Sequence, residues 1–175
     1  MNSSMEKNDT FPSSEFGENL AILREIYFFS ELPLELLKVL AYLGAHENFQ
    51  AGDYLFHQND DDGQAFYIIS GEARLLYGDG DKTIVIRDFA AGTFLGGQAL
   101  LGNSRRLFSL QARTDMTCLI LTRQKFAKAM EQFPGLLPRV IQTLINRINI
   151  WEEKFFAEFA AGCDTCRQKI GVSLL

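Results

Sequence analysis

The residues best placed to do chemistry lie between Phe94 and Ala112, FLGGQALLGNSRRLFSLQA. Gly96-Gly97 open a short apolar stretch, Gln98-Ala99-Leu100, and an arginine pair, Arg105-Arg106, follows. A helix starting at Gly97 would turn unpaired backbone N–H groups and the positive end of its dipole toward an anion. Small residues there let that anion approach the main chain closely. An arginine emerging opposite can add charge-assisted, bidentate hydrogen bonds to phosphate or carboxylate oxygens. Gly96, Gly97, Gln98, Ala99 and Arg106, with the following Leu107 and Phe108, form the candidate ligand site. Phe108 can stack on a purine or fill the space a ligand would use. Strand alternation directs at least one of Leu107 and Phe108 into the interior.

Other candidates are weaker. Asp60-Asp61-Asp62 reads as a solvated turn, because no distal glutamate completes a calcium loop. Cys163 and Cys166 form a CxxC, short of the four ligands of a zinc site. A plain tail, a redox pair and a metal site shared by two subunits all remain open for it. Cys118 lies in an apolar strand and reads as core. With only two histidines, His46 and His57, no catalytic Ser/His/Asp or Cys/His arrangement appears, so the chain reads as a non-enzyme.

Around these residues the pattern changes twice. Residues 1–18 are polar and read as a mobile leader. Leu20, Leu23 and Tyr27 then recur at helical spacing. Leu34, Leu37, Leu40 and Leu43 mark a second helix, with Ser30 as a cap and Gly44 as its stop. From His46 to Thr122 short apolar strands alternate with Gly/Asp turns, the grammar of a β-sandwich or jelly roll. The strands are expected at 54–57, 65–69, 73–77, 83–87, 108–112 and 117–122. Helical period returns at 124–133 and again over 136–160. There Leu137, Ile141, Leu144, Ile148, Trp151 and Phe155 alternate spacings of four and three, which suits pairing with a like helix. The same helix, widened by Val140, Ile145 and Phe159, can instead pack on its own domain.

The 175 residues suit one domain, 19–160, with a leader and a tail, 161–175. Apolar residues make up 47%, which is globular composition, and a net charge of −5 argues against a nucleic-acid binder. No apolar run reaches the roughly 20 residues of a membrane span, and no secretory signal opens the chain. Three cysteines make no disulfide framework, so a reducing cytoplasm is expected.

The segment from Phe94 to Ala112, with its lead-in Ala51–Ala73, AGDYLFHQNDDDGQAFYIISGEA, resembles the cyclic-nucleotide-binding domain of catabolite-activator-type regulators and protein-kinase regulatory subunits. The resemblance spans about residues 20–155. Its phosphate-binding cassette, F-G-E-x-A-L-x(5–6)-R-[ST]-A, places Gly96 as the glycine, Ala99-Leu100 as the Ala-Leu pair and Arg106 as the arginine. A one-residue shift would make Arg105 that ligand, but Arg106 keeps the family's spacing to Ala112. Gly97 stands where the family carries the glutamate that accepts from the ribose 2′-hydroxyl, and Leu107-Phe108 replace the small pair. Gln98, the next residue, is a substitute acceptor only if it turns the same way.

The resemblance implies a mainly β roll at 46–122 with flanking helices and a dimerisation helix at 136–160. It also implies cAMP or cGMP as effector, or another small anion, and a protein partner that carries the output. Neither the helix-turn-helix segment of the transcription factors nor a catalytic segment is recognisable, so a sensor without its own output is expected. The divergent cassette leaves a second reading, a dimeric interaction module that binds no nucleotide.

Overall fold

Two runs, Ala65–Ile69 and Cys118–Leu121, are apolar at every position, as strands buried on both faces must be. The computed structural model describes residues 13–79 and 82–159. The strands are β1 (Ala45–Phe49), β2 (Tyr54–Phe56), β3 (Gln64–Ser70), β4 (Glu72–Asp79), β5 (Lys82–Ala90), β6 (Phe94–Leu95), β7 (Ser109–Ala112) and β8 (Met116–Thr122). They form two four-stranded antiparallel sheets, ordered β1-β8-β3-β6 and β2-β7-β4-β5.

The first sheet separates two cores. Phe66, Ile68, Cys118 and Ile120 point into the roll with Phe56, Ala73 and Leu110. Ala65, Tyr67, Leu119 and Leu121 point the other way, into a helical layer. That layer is α1 (Ser13–Glu25), a 3-10 turn at Tyr27–Phe29, α2 (Leu34–Leu43), α3 (Arg123–Glu131) and α4 (Leu137–Phe159). Leu23, Phe29, Leu36, Leu40, Phe126 and Val140 fill the space between helices and sheet. The expected mainly β roll with flanking helices is the fold observed.

Element boundaries differ in a few places. α1 begins at Ser13, inside the segment read as leader, and Asn19 near its middle is buried, donating to the Ala41 carbonyl at 3.1 Å. Ser30 does not cap α2. It closes the preceding 3-10 turn through its own N–H, and Pro33 occupies the cap position. β1, with the polar sequence AHENF, lies at the sheet edge, where period-two apolarity is not required.

α4 divides its apolar residues between two surroundings. Val140 is buried and Leu144 half-buried against the helical core, whereas Leu137, Ile141, Ile145, Ile148 and Trp151 are each more than 40% exposed. Phe155 lies in the same helix. Among the described residues no helix is long and apolar enough to cross a membrane. Cys163 and Cys166 lie outside the described residues.

Candidate functional site

The cassette begins where β6 leaves β3, its pairs being Phe66 with Leu95 and Tyr67 with Phe94. Gly96 then takes φ +79°, and a Cβ there would lie 2.6 Å from a guanidinium nitrogen of Arg106 and 3.0 Å from the Gln64 carbonyl. Only glycine meets both demands. The chain continues into a four-residue 3-10 turn, Gly97–Leu100, with Ala99 and Leu100 buried. Gly97 is buried as well. A Cβ on it would sit 2.9 Å from the Phe94 ring and 3.0 Å from the Phe28 ring. Gln98 is exposed and turns outward.

Arg106 is drawn inside. Its side chain is only 6% exposed and forks onto Asp62, Nε to Oδ2 at 3.0 Å and an Nη to Oδ1 at 2.6 Å. It also donates to the Gln64 carbonyl, and its Cζ lies 4.1 Å from the centroid of the Phe56 ring. Its backbone is tied to the acidic loop in both directions: Arg106 N–H donates to the Asp60 carbonyl and Asn59 N–H to the Arg106 carbonyl, each at 2.8 Å. Arg105, next door, is exposed and makes no ion pair among the described residues.

Asp60 and Asp61 stay exposed, as the solvated-turn reading expects, but each of the three aspartates is engaged by a partner and Asp62 is largely withdrawn from solvent. Asp60 accepts from the His57 N–H at 2.8 Å and shapes the turn. Asp61 pairs with Arg123 and accepts from the Ser104 N–H at 3.3 Å. The Arg123 hydrogen bond holds the Asp61 carboxyl below the usual carboxylate range, against a smaller opposing effect of desolvation. Arg123, the first residue of α3, also donates to the Ala99 carbonyl at 2.7 Å and to the Asn103 side chain at 2.9 Å. The two arginines thus clamp the cassette to the acidic loop from two sides.

Leu107 and Phe108 depart from expectation. They form a bend, and β7 starts only at Ser109, so strand alternation does not reach them. Leu107 is 68% exposed and Phe108 half-buried, its ring 6.0 Å from that of Tyr77. The interior position falls to Leu110 instead. The remaining candidates among the described residues are engaged in packing or hydrogen bonds. Cys118 is buried, and burial, aided by Glu47, pushes its thiol up to about 12. His57 stacks on Tyr54 and His46 bonds the Asn19 side chain. Among the described residues no cluster of His, Cys, Asp or Glu has the makings of a metal site.

A glycine in left-handed conformation, a short 3-10 turn and a buried arginine against it, all hung on a two-sheet roll, are the parts that the sequence marked as the candidate ligand site. The family described as "Cyclic nucleotide-binding domain" matches residues 46–133. The chain belongs to that family. This cyclic nucleotide-binding domain is 31% identical over 132 residues to a cAMP-dependent protein kinase regulatory subunit of Hypocrea atroviridis, covering 74% of the chain and 27% of that relative. The chain thus spans about a quarter of the curated relative. Its fold is shared by the N-terminal domain of a transcriptional regulator from Streptomyces coelicolor A3(2), with a TM-score of 0.66 and 17% identity over 76% of this chain and 93% of that one. It is also shared by the regulatory domain of Toxoplasma gondii PKA, solved with cAMP, at a TM-score of 0.62 and 18% identity over 76% and 50% of the two chains.

The domain brings together Gly96, Gly97, Ala99 and Arg106, and leaves Gln98, Leu107 and Phe108 at the rim. Asp62, Asp61, Arg123 and Phe56 escaped the sequence reading. The only available signal was three consecutive aspartates facing a family arginine, and composition alone assigns those to a turn.

Proposed function

We propose that this domain is a regulatory sensor in which the anionic group of an effector exchanges with Asp62 on Arg106. The observation that supports it is the buried fork of Arg106 on Asp62, a carboxylate standing in a phosphate's place. cAMP and cGMP are the effectors to test first, given the family and the cAMP-bound relative. Gly97 offers the ribose no side-chain acceptor. One unmade hydrogen bond lowers affinity roughly ten- to a hundredfold relative to a cassette with glutamate.

Calorimetry of the wild type with cAMP and cGMP is expected to show weak binding that disappears in Arg106→Ala. No heat with either nucleotide, in the wild type and in Asp62→Asn alike, would refute the nucleotide reading. It would favour the second one, a dimeric interaction module whose pocket its own side chains fill. The occupation of Arg106 by the chain's own Asp62 is what supports that alternative.

Under either reading the domain acts through a partner protein, as its relatives named regulatory subunits do, and pairs with a second copy through α4. The support for pairing is the row Leu137, Ile141, Ile145 and Ile148, all exposed on one long helix. Burying such a row against its copy removes apolar area worth about 25 cal/mol per Å² from water. Ile148→Asp is expected to halve the mass seen by light scattering. An unchanged mass excludes α4 as the interface.

A further inference from the structure

A cavity opens between α4 and the cassette, and Arg106 is not among the residues that line it. Its volume is about 610 Å³, within the range of about 300–1,000 Å³ typical of small-molecule sites. Its walls are α4, the Tyr27–Phe29 turn, Tyr67 of β3 and the outer face of the cassette at Gln98. Arg106 takes no part in it, being stacked on Phe56 and Phe66 inside the roll.

We infer that this cavity binds a small organic anion with a flat apolar body, an aromatic carboxylate in its simplest form. Arg147 of α4 supplies the charge. Its guanidinium lies 5.8 Å above the Tyr27 ring and makes no ion pair among the described residues. A cation–π contact leaves its in-plane N–H donors available for a carboxylate. Tyr67 and Gln98 line the same space, and the Tyr67 hydroxyl and the Gln98 side-chain amide have no hydrogen-bond partner among the described residues. Burial first, and then the charge of Glu25, pushes the Tyr67 pKa up, so its hydroxyl keeps its proton and remains a donor. Leu144 and the Phe28 and Phe94 rings supply the apolar wall for the ligand's body. Glu25 lines the same cavity and acts on Tyr67, so the carboxylate must sit against Arg147 and away from it, and a second negative charge is disfavoured.

Such a ligand would bridge α4 to the cassette from outside the roll. The cavity shares Gly96, Gly97 and Gln98 with the cassette, but neither Arg106 nor Asp62 lines it, so the two readings fail separately. Naphthalene-2-carboxylate and its neutral carboxamide are suitable probes, titrated into the full chain while backbone amide shifts are followed by NMR. The acid is expected to shift the amides of Tyr67, Gln98, Thr143 and Arg147, and to bind at least tenfold more tightly than the carboxamide. Arg147→Gln, at an exposed position that leaves the fold intact, is expected to remove that tenfold preference. Equal binding of the two probes overturns the inference, as does an absence of shifts at millimolar probe. Shifts centred on Asp62 and Arg106 overturn it too, by moving the ligand into the cassette.

Discussion

Asp62→Asn is expected to lower the melting temperature by about 5–10 °C while raising the affinity for cAMP or cGMP at least tenfold. The two effects share one cause. In the wild type both oxygens of Asp62 are engaged by a guanidinium that is 6% exposed and pressed on the Phe56 ring. Removing one partner of a buried ion pair costs about 3–5 kcal/mol. Asparagine keeps one acceptor oxygen, and Asp62 itself is 18% exposed, so the loss here is nearer 2–3 kcal/mol. In a domain of this size each kcal/mol corresponds to about 2–4 °C. The same substitution leaves Arg106 with an unmet charge that an effector's phosphate can satisfy, and no carboxylate has to be displaced first. Added nucleotide should therefore raise the melting temperature of the variant more than that of the wild type. A variant that melts with the wild type and gains no affinity would remove Asp62 from the exchange.

Gly71→Ala is expected to cost about 3 kcal/mol or more, read as a lowered midpoint in urea. Gly71 turns β3 into β4 at φ +84°, and the turn is tucked beneath the β7–β8 connection. A Cβ there would lie 2.4 Å from the Asp115 carbonyl oxygen and 2.8 Å from the Met116 Cα. The left-handed backbone alone costs a non-glycine residue about 1–2 kcal/mol. The overlap adds about 1–3 kcal/mol, because it falls on main chain that cannot rotate away. Gly52→Ala separates the two contributions. Its φ is +100° with nothing within 4 Å of the added carbon, so it should show the backbone cost alone. Equal midpoints for the two variants would mean that the β7–β8 connection yields to the methyl group.

The roll was legible because its strands carry continuous or alternating apolar residues between glycine turns. The cassette was legible because Gly96 and Arg106 are each forced by the other: the glycine lacks the side chain that the guanidinium would strike. What the sequence concealed is the opposing carboxylate. Asp62 lies 44 positions before Arg106, and nothing in three adjacent aspartates says that the second will meet Arg123 and the third Arg106. The seam of α4 was visible as a period, yet a period cannot tell which neighbour a face meets. Leu144 turned to the domain's own core, while Ile141 and Ile148 stayed outside. Leu107 and Phe108 misled for a local reason, since alternation holds only once the chain is paired, and pairing begins at Ser109.

The two backbone hydrogen bonds that join Arg106 to Asn59 and Asp60 limit how far anything at this site can travel. They stitch the arginine's main chain to the loop that carries its partner, so the loops have no hinge between them along which to part. Whatever replaces the Asp62 carboxylate must do so while both backbones stay in place. In the proposed exchange the moving part is then one short side chain turning about its own bonds once its ion pair with Arg106 opens, rather than a whole loop.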